Sequence, residues 1–273
     1  MRLSDIQPHY FPRLHYFARM LSSDVFVLRD DVQFVKNHKF PDGTRGVSHQ
    51  AHTPIKSASG AVLLNISVKK GGLPPISQAM ISYEQDWTRK HLNLLRNHYA
   101  KAPRFAAIFP DIELLLAKRF PTVGELNTAT LCWASALVLG VDTPTDEYFS
   151  LPRVNKLVSE RSSLPLRQIV AGSEVIPRLE VDEPVTATEK IATLCRYYDA
   201  EEYIAGGTAF DSYMDADVFR RNDIAIVVQD WVCERYRQRY DEAGFLPNLS
   251  IIDLLMNVSG EDALGLLLEK RLV

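Results

Sequence analysis

Residues 6–34 read IQPHYFPRLHYFARMLSSDVFVLRDDVQF, and the succession of patterns within them decides the fold. An apolar run closes at Ile6, and a polar loop bounded by Pro8 and Pro12 follows. Leu14, Phe17, Ala18 and Leu21 then recur at the i, i+3, i+4, i+7 spacing of a helix face. Asp24 to Leu28 reads as a second strand, which Asp30, Asp31, Val32 and Gln33 bring to an end. The unit is strand, loop, helix, strand, with polar groups at both strand ends. Open α/β sheets bind small ligands there, outside the carboxyl ends of their strands.

Outward from this unit, strand and helix patterns keep alternating. Residues 36–61 are polar and rich in His, Gly, Pro and Ser; they predict a functional loop or a hairpin with a mobile tip, and we expect a lid there. Residues 62–70 have strand character, stopped by Gly71-Gly72 and Pro74-Pro75. Helical patterns cover 87–99, 105–118 and 127–139, the last ended by Gly140. Residues 143–188 predict a strand and then a helix-poor region. A helix from 188 to 198, strands at 203–205 and 225–228, and a helix over 250–257 complete the reading. This order predicts an α/β fold, an open, mostly parallel Rossmann-like sheet with flanking helices, carrying a polar loop or hairpin insertion after the second strand. Residues 1–273 read as a single domain with a candidate sub-boundary within 143–188.

Composition removes several function classes. Of 273 residues 46% are hydrophobic and 24% charged, which is globular rather than disordered. The net charge of -3 argues against a general nucleic-acid binder. No apolar run is long enough to span a bilayer, and the N-terminus lacks a signal-peptide pattern, so a cytoplasmic protein is expected. Cys132, Cys195 and Cys233 are too scattered for a disulfide framework or a structural zinc site.

The chemistry-bearing candidates gather at the strand ends. Gln7, His9, Tyr10 and His15 follow the first strand on a loop stiffened by its prolines, which suits them to hold polar ligand groups in fixed orientation. His9 is the candidate general base. Asp31 shares strand parity with Gln33, and either Asp31 or Asp30 could orient that base. Gly206-Gly207-Thr208 follows a strand and could bring backbone N–H groups to an anion. Asn248, Ser250 and Asp253 have two equal readings, as caps of the last long helix pattern or as a polar face turned to the N-terminal site. Magnesium on the two aspartates is weakly signalled, and His38, His49 and His52 lack the helix a zinc motif needs; no metal or cofactor is expected. The common nucleotide cradles and the serine nucleophile elbow are absent from the sequence.

Gln7-Pro-His-Tyr-Phe-Pro12, Asp30-Asp-Val-Gln-Phe34 and Leu249-Ser-Ile-Ile-Asp-Leu-Leu255 together resemble the WbqC-like family. The similarity extends to Lys90-His91-Leu92, Tyr99-Ala-Lys-Ala-Pro103, Gly206-Gly207 and Tyr213-Met-Asp215. Arg13 stands where the family usually has Trp, His15 where it has Gly, and Cys233 where a His-Pro pair is typical. The resemblance implies an association with O-antigen and other small-molecule biosynthesis. It also implies a transferase moving an acyl or aminoacyl group to an amine or hydroxyl of a sugar or amino-acid-like acceptor. A thioester on a carrier protein or on coenzyme A would be the donor. The other readings are a nucleotide-dependent adenylyl- or cytidylyl-transfer enzyme and a non-catalytic pathway partner. A covalent route through Cys233 has no local feature that would lower its thiol pKa.

Overall fold

The chain begins in the middle of its sheet. In the computed structural model, which describes residues 1–39, 45–179, 185–207, 210 and 214–268, β1 (Arg2–Ile6) leads through a loop to α1 (Leu14–Ser22) and back to β2 (Val25–Leu28). β1 and β2 pair in parallel, Leu3 opposite Val25 and Ile6 opposite Leu28. The next segment makes two antiparallel ribbons, β3 (Asn37–Lys39) with β4 (Arg45–Val47) and β5 (His52–Ser57) with β6 (Gly60–Asn65). The strand read at 62–70 therefore stops at Asn65 and joins a ribbon, not the main sheet.

A helical layer follows: α2 (Trp87–Tyr99), α3 (Phe105–Ala117) and α4 (Val123–Val138). Thr122 caps α4 through its side chain, and Gly140 ends it at φ +85°, a conformation that favours glycine. The 143–188 reading needs correction. A helix, α5 (Leu151–Ser159), comes first, with Pro152 in its first turn and Val154 and Val158 buried, and the strand β7 (Gln168–Ala171) comes after it. β7 runs into a short helix, α6 (Gly172–Val175). Then come α7 (Ala187–Tyr197), closed at its start by a Thr186–Glu189 capping box, β8 (Glu202–Ala205), α8 (Ala216–Arg221) and β9 (Ala225–Val228). The helices α9 (Ile251–Asn257) and α10 (Gly260–Leu267) finish the chain.

The five-stranded sheet has the order β7-β2-β1-β8-β9, with every pairing parallel. Strand parity sends side chains to opposite faces. Leu3, Val25 and Val27 pack with Ile191, Leu194 and Phe219 of α7 and α8. Phe26 and Leu28 join the larger core around α1 and α4. β1 and β8 are adjacent, yet the chain leaves them toward opposite edges, first to β2 and later to β9. That reversal makes their carboxyl ends a topological switch point, where doubly wound sheets have the crevice that takes ligands.

Candidate functional site at the β1–β8 switch point

The loop after β1 is pinned from three sides. The buried Asn127 side chain of α4 donates to Pro8 O at 2.9 Å and to Gln50 O at 2.8 Å, joining this loop to the start of β5. The Thr53 and Ser250 hydroxyls both donate to Phe11 O, and Phe11 N–H donates to Thr130 Oγ1. Phe11 is held at φ +38°, a costly conformation for an aromatic residue that persists because its surroundings over-determine it. The stiffness expected from two prolines is thus reinforced by tertiary hydrogen bonds.

His9 rises from this loop into a half-buried position. Its ring centroid lies 5.0 Å from that of Tyr16 and 5.4 Å from that of His49, which is in turn 5.0 Å from His52. Its buried Nδ1 has no hydrogen-bond partner among the described residues, and neither does the buried Tyr16 hydroxyl. Burial, followed by the neighbouring His49, His15, Arg13 and His52, holds His9 well below the usual imidazole range. Every group acting on its charge is basic, so His9 is a neutral imidazole at physiological pH, without an orienting carboxylate. Among the described residues no group of three or more His, Cys, Asp or Glu is arranged to hold a metal ion.

The rest of the crevice comes from α1 and from beyond β8 and β9. Asn248, at φ +55°, accepts from both the backbone N–H and Nδ1–H of His15, each at 3.0 Å. Burial lowers the His15 pKa to about 4. The Arg19 Nε–H donates to Gln229 at 2.9 Å, and Gln229 donates to His15 O at 3.0 Å, so α1 is tied across the switch point to the end of β9. Gly206 lies directly under the Arg19 guanidinium, where a Cβ would come within 2.5 Å of Nη2. Gly207 is open and exposed. Gln7 accepts at 2.7 Å from the amide of Gln50.

Of the residues singled out in the sequence, Gln7, His9, Gly206 and Asn248 line this region, and others stand elsewhere. β2 ends at Leu28, so strand alternation does not extend to Asp31 and Gln33. Asp30 instead caps α6, accepting from Ser173 N–H and from its hydroxyl, both at 2.7 Å. Both Asp31 oxygens receive the Arg29 guanidinium, whose remaining arm reaches Asp5 at 2.7 Å. The hydrogen bond expected between an aspartate and His9 is therefore not formed. Gln33 is exposed and bridges backbone to backbone with Pro75. Tyr10 is fully buried; its hydroxyl donates to His91 Nδ1 while His91 Nε2–H donates to Asn65 O. That places Tyr10 in the core rather than in the crevice.

Ser250 and Asp253 are pillars beneath the site. Ser250 caps α9 and holds Phe11 O. Asp253 accepts from the Tyr99 and Tyr236 hydroxyls at 2.7 and 2.6 Å. Cys233 receives the Asn248 N–H on its sulfur, and burial raises its pKa, so it is a thiol rather than a poised thiolate. Thr208 and Tyr213 lie outside the described residues, as does 40–44 within the expected lid. Sequence reasoning passed over Arg13, Tyr16, Arg19, Gln50, Asn127 and Gln229. Arg13 and Arg19 at the two ends of α1 carried a signal, the cations of a helix whose other face is apolar.

The sequence profile of the WbqC-like protein family matches residues 7–264. The chain belongs to that family. The WbqC-like chain is also 25% identical over 262 residues to the uncharacterized protein Rv1507c of Mycobacterium tuberculosis, with 95% of each chain covered. No solved structure matches it. Among the described residues of this WbqC-like protein, no helix is long and apolar enough to cross a membrane.

A cavity of about 560 Å³ opens between the segment that follows β2 and the segment that follows β6. Phe34, Val68 and Met80 give it apolar walls, and Lys36, Lys69 and Lys70 line it with positive charge. Val35, between two of its lining residues, donates its backbone N–H to Gln50 Oε1 at 3.0 Å. Gln50 is the residue that donates to Gln7.

Proposed function

We propose that this WbqC-like protein transfers an acyl or aminoacyl group from a thioester to an amine or hydroxyl of a sugar or amino-acid-like acceptor. The neutral His9 imidazole, half-buried on the loop that follows β1, is the observation that carries this reading. The acceptor nucleophile attacks the thioester carbonyl while His9 takes its proton. The C–S bond then breaks, and the leaving thiolate recovers the proton to depart as a thiol. A base held in its free form over a wide pH range suits that step. Gln50 occupies the Gln7 carbonyl oxygen and leaves the Gln7 amide N–H groups as donors for the developing oxyanion. Asp30 and Asp31 enter as positioning residues that hold the neighbouring loop.

The lysine-lined cavity supports a thioester whose arm carries phosphate, as coenzyme A and carrier-protein prosthetic groups do. A nucleotidyl-transfer reading is favoured by the switch point itself. It is disfavoured by the start of α1, where nucleotide phosphates would be cradled. There the N–H groups of Leu14, His15 and Tyr16 are already given to Leu249 O, Asn248 Oδ1 and Arg13 O.

The test is thiol release from acyl- and aminoacyl-coenzyme A and carrier-protein thioesters, in the presence of amino-acid and amino-sugar acceptors. Acceptor-dependent release that falls by about 10²–10⁴ in His9→Ala supports the proposal. Consumption of nucleoside triphosphate alone would favour nucleotidyl transfer. Full pathway function in folded His9→Ala and Asp31→Ala variants would favour the non-catalytic partner.

A further inference from the structure

Arg13 carries a charge that no acidic side chain among the described residues answers. It is the N-cap residue of α1, half-buried, and its side chain makes no ion pair among the described residues. Its Nε is buried without a hydrogen-bond partner. Contrast Arg29, equally central, whose guanidinium is saturated by Asp5 and Asp31. Drawing part of a guanidinium out of water without a counter-charge is unfavourable, and an anion bound there would offset that cost.

The surroundings say what that anion would be. Arg13 is near enough to His9, His15 and His52 to bias each toward its neutral form. Those three imidazoles are uncharged at neutral pH, and Arg19 is already engaged with Gln229. Arg13 therefore brings to this cluster a positive charge that no acidic group among the described residues pairs with. Two further unpartnered polar atoms, His9 Nδ1 and the hydroxyl of the fully buried Tyr16, stand in the same cluster. The first N–H groups of α1 are already bonded, so the guanidinium fork is the group left to take the anion.

We propose that Arg13 binds a carboxylate of the acceptor substrate, a monoanion whose charge and planar geometry match one guanidinium. This rests on the transferase reading for the word acceptor, but the carboxylate site stands on Arg13 itself. It narrows the acceptor class to amino or hydroxy acids, leaving neutral sugars aside. A planar fork recognises a carboxylate through two parallel N–H···O bonds, which an amide or a neutral hydroxyl cannot reproduce.

The test titrates the protein by NMR with glycine and β-alanine, with their carboxamides, and with inorganic phosphate. The amino acids should bind at least about tenfold more tightly than the carboxamides in the native protein, a comparison that needs no variant. Arg13→Gln should remove that preference. In the ligand-free protein this substitution should leave Tm unchanged or raise it, because it deletes an unanswered charge. Phosphate binding preferentially, equal binding of acids and amides, a preference that survives in Arg13→Gln, or no binding by any probe would each overturn the proposal. So would a fall in the ligand-free Tm, since that would reveal a partner for Arg13 within the fold. Carboxylate binding without acceptor-dependent thiol release would sink the transferase reading and leave the Arg13 site standing. Release from neutral acceptors alone would do the reverse.

Discussion

The Gln50 side chain donates to Gln7 Oε1 at 2.7 Å, and its own Oε1 accepts from Val35 N–H at 3.0 Å. One buried amide therefore fixes the residue that follows β1 and also the segment after β2 that walls the lysine-lined cavity. An amide is required, since one end must donate and the other accept.

Gln50→Glu keeps the acceptor for Val35 and replaces the donor with a second acceptor facing Gln7. We expect a stability loss of about 1–3 kcal/mol, the cost of leaving a buried polar group unmet. Gln7 would have to turn its amide, so turnover should fall even where the variant remains folded. Urea unfolding and the thiol-release assay on the same sample separate the two effects; unchanged turnover would show that Gln7 orientation is immaterial.

Asp31 is a structural carboxylate before it is anything else. Arg29→Ala leaves Asp5 and Asp31, both largely buried, without their shared cation, and should cost about 3–5 kcal/mol. Gly172→Ala attacks the same junction from the other side. A Cβ there would collide with Asp31 Oδ1 and come within 2.9 Å of Leu28 O, and the backbone oxygen cannot step aside. We expect a loss of about 1–3 kcal/mol. Gly207→Ala should be neutral, because nothing lies within 4 Å of its added carbon. Comparable melting temperatures for the two glycine variants would contradict this packing.

His91 should make the fold acid-sensitive. Burial lowers its pKa to about 4, and its two nitrogens are committed to Tyr10 and Asn65. The unfolded chain takes up a proton on this residue near the ordinary imidazole value of about 6.5, while the folded chain does not until about pH 4. Between those values the unfolded state binds more protons, so stability falls as pH falls through this window and is restored as pH rises. The expected loss at pH 5 is about 1–2 kcal/mol from this residue. His91→Gln, compared with the native protein by thermal unfolding at pH 7.5 and pH 5, should show a smaller pH effect; an identical drop would assign the sensitivity elsewhere.

The amino-acid sequence by itself determined the β1–α1–β2 unit and the parallel sheet. These are local properties: apolar spacing sets which face is buried, and Pro8 and Pro12 set a rigid exit from β1. The same local reading missed α5 and placed its strand too early, because a nine-residue helix with only Val154 and Val158 buried offers a weak period. Tertiary structure decided the partners of the charges. Asp30 meets Ser173 across 143 positions, and His15 meets Asn248 across 233. No periodicity encodes such pairings, since they follow from how strands order themselves in the sheet. His9 is named by its place in the sequence, but its neutrality comes from burial among other basic groups. The isolation of Arg13 is likewise a property of its surroundings, and a surrounding exists only once the chain has folded.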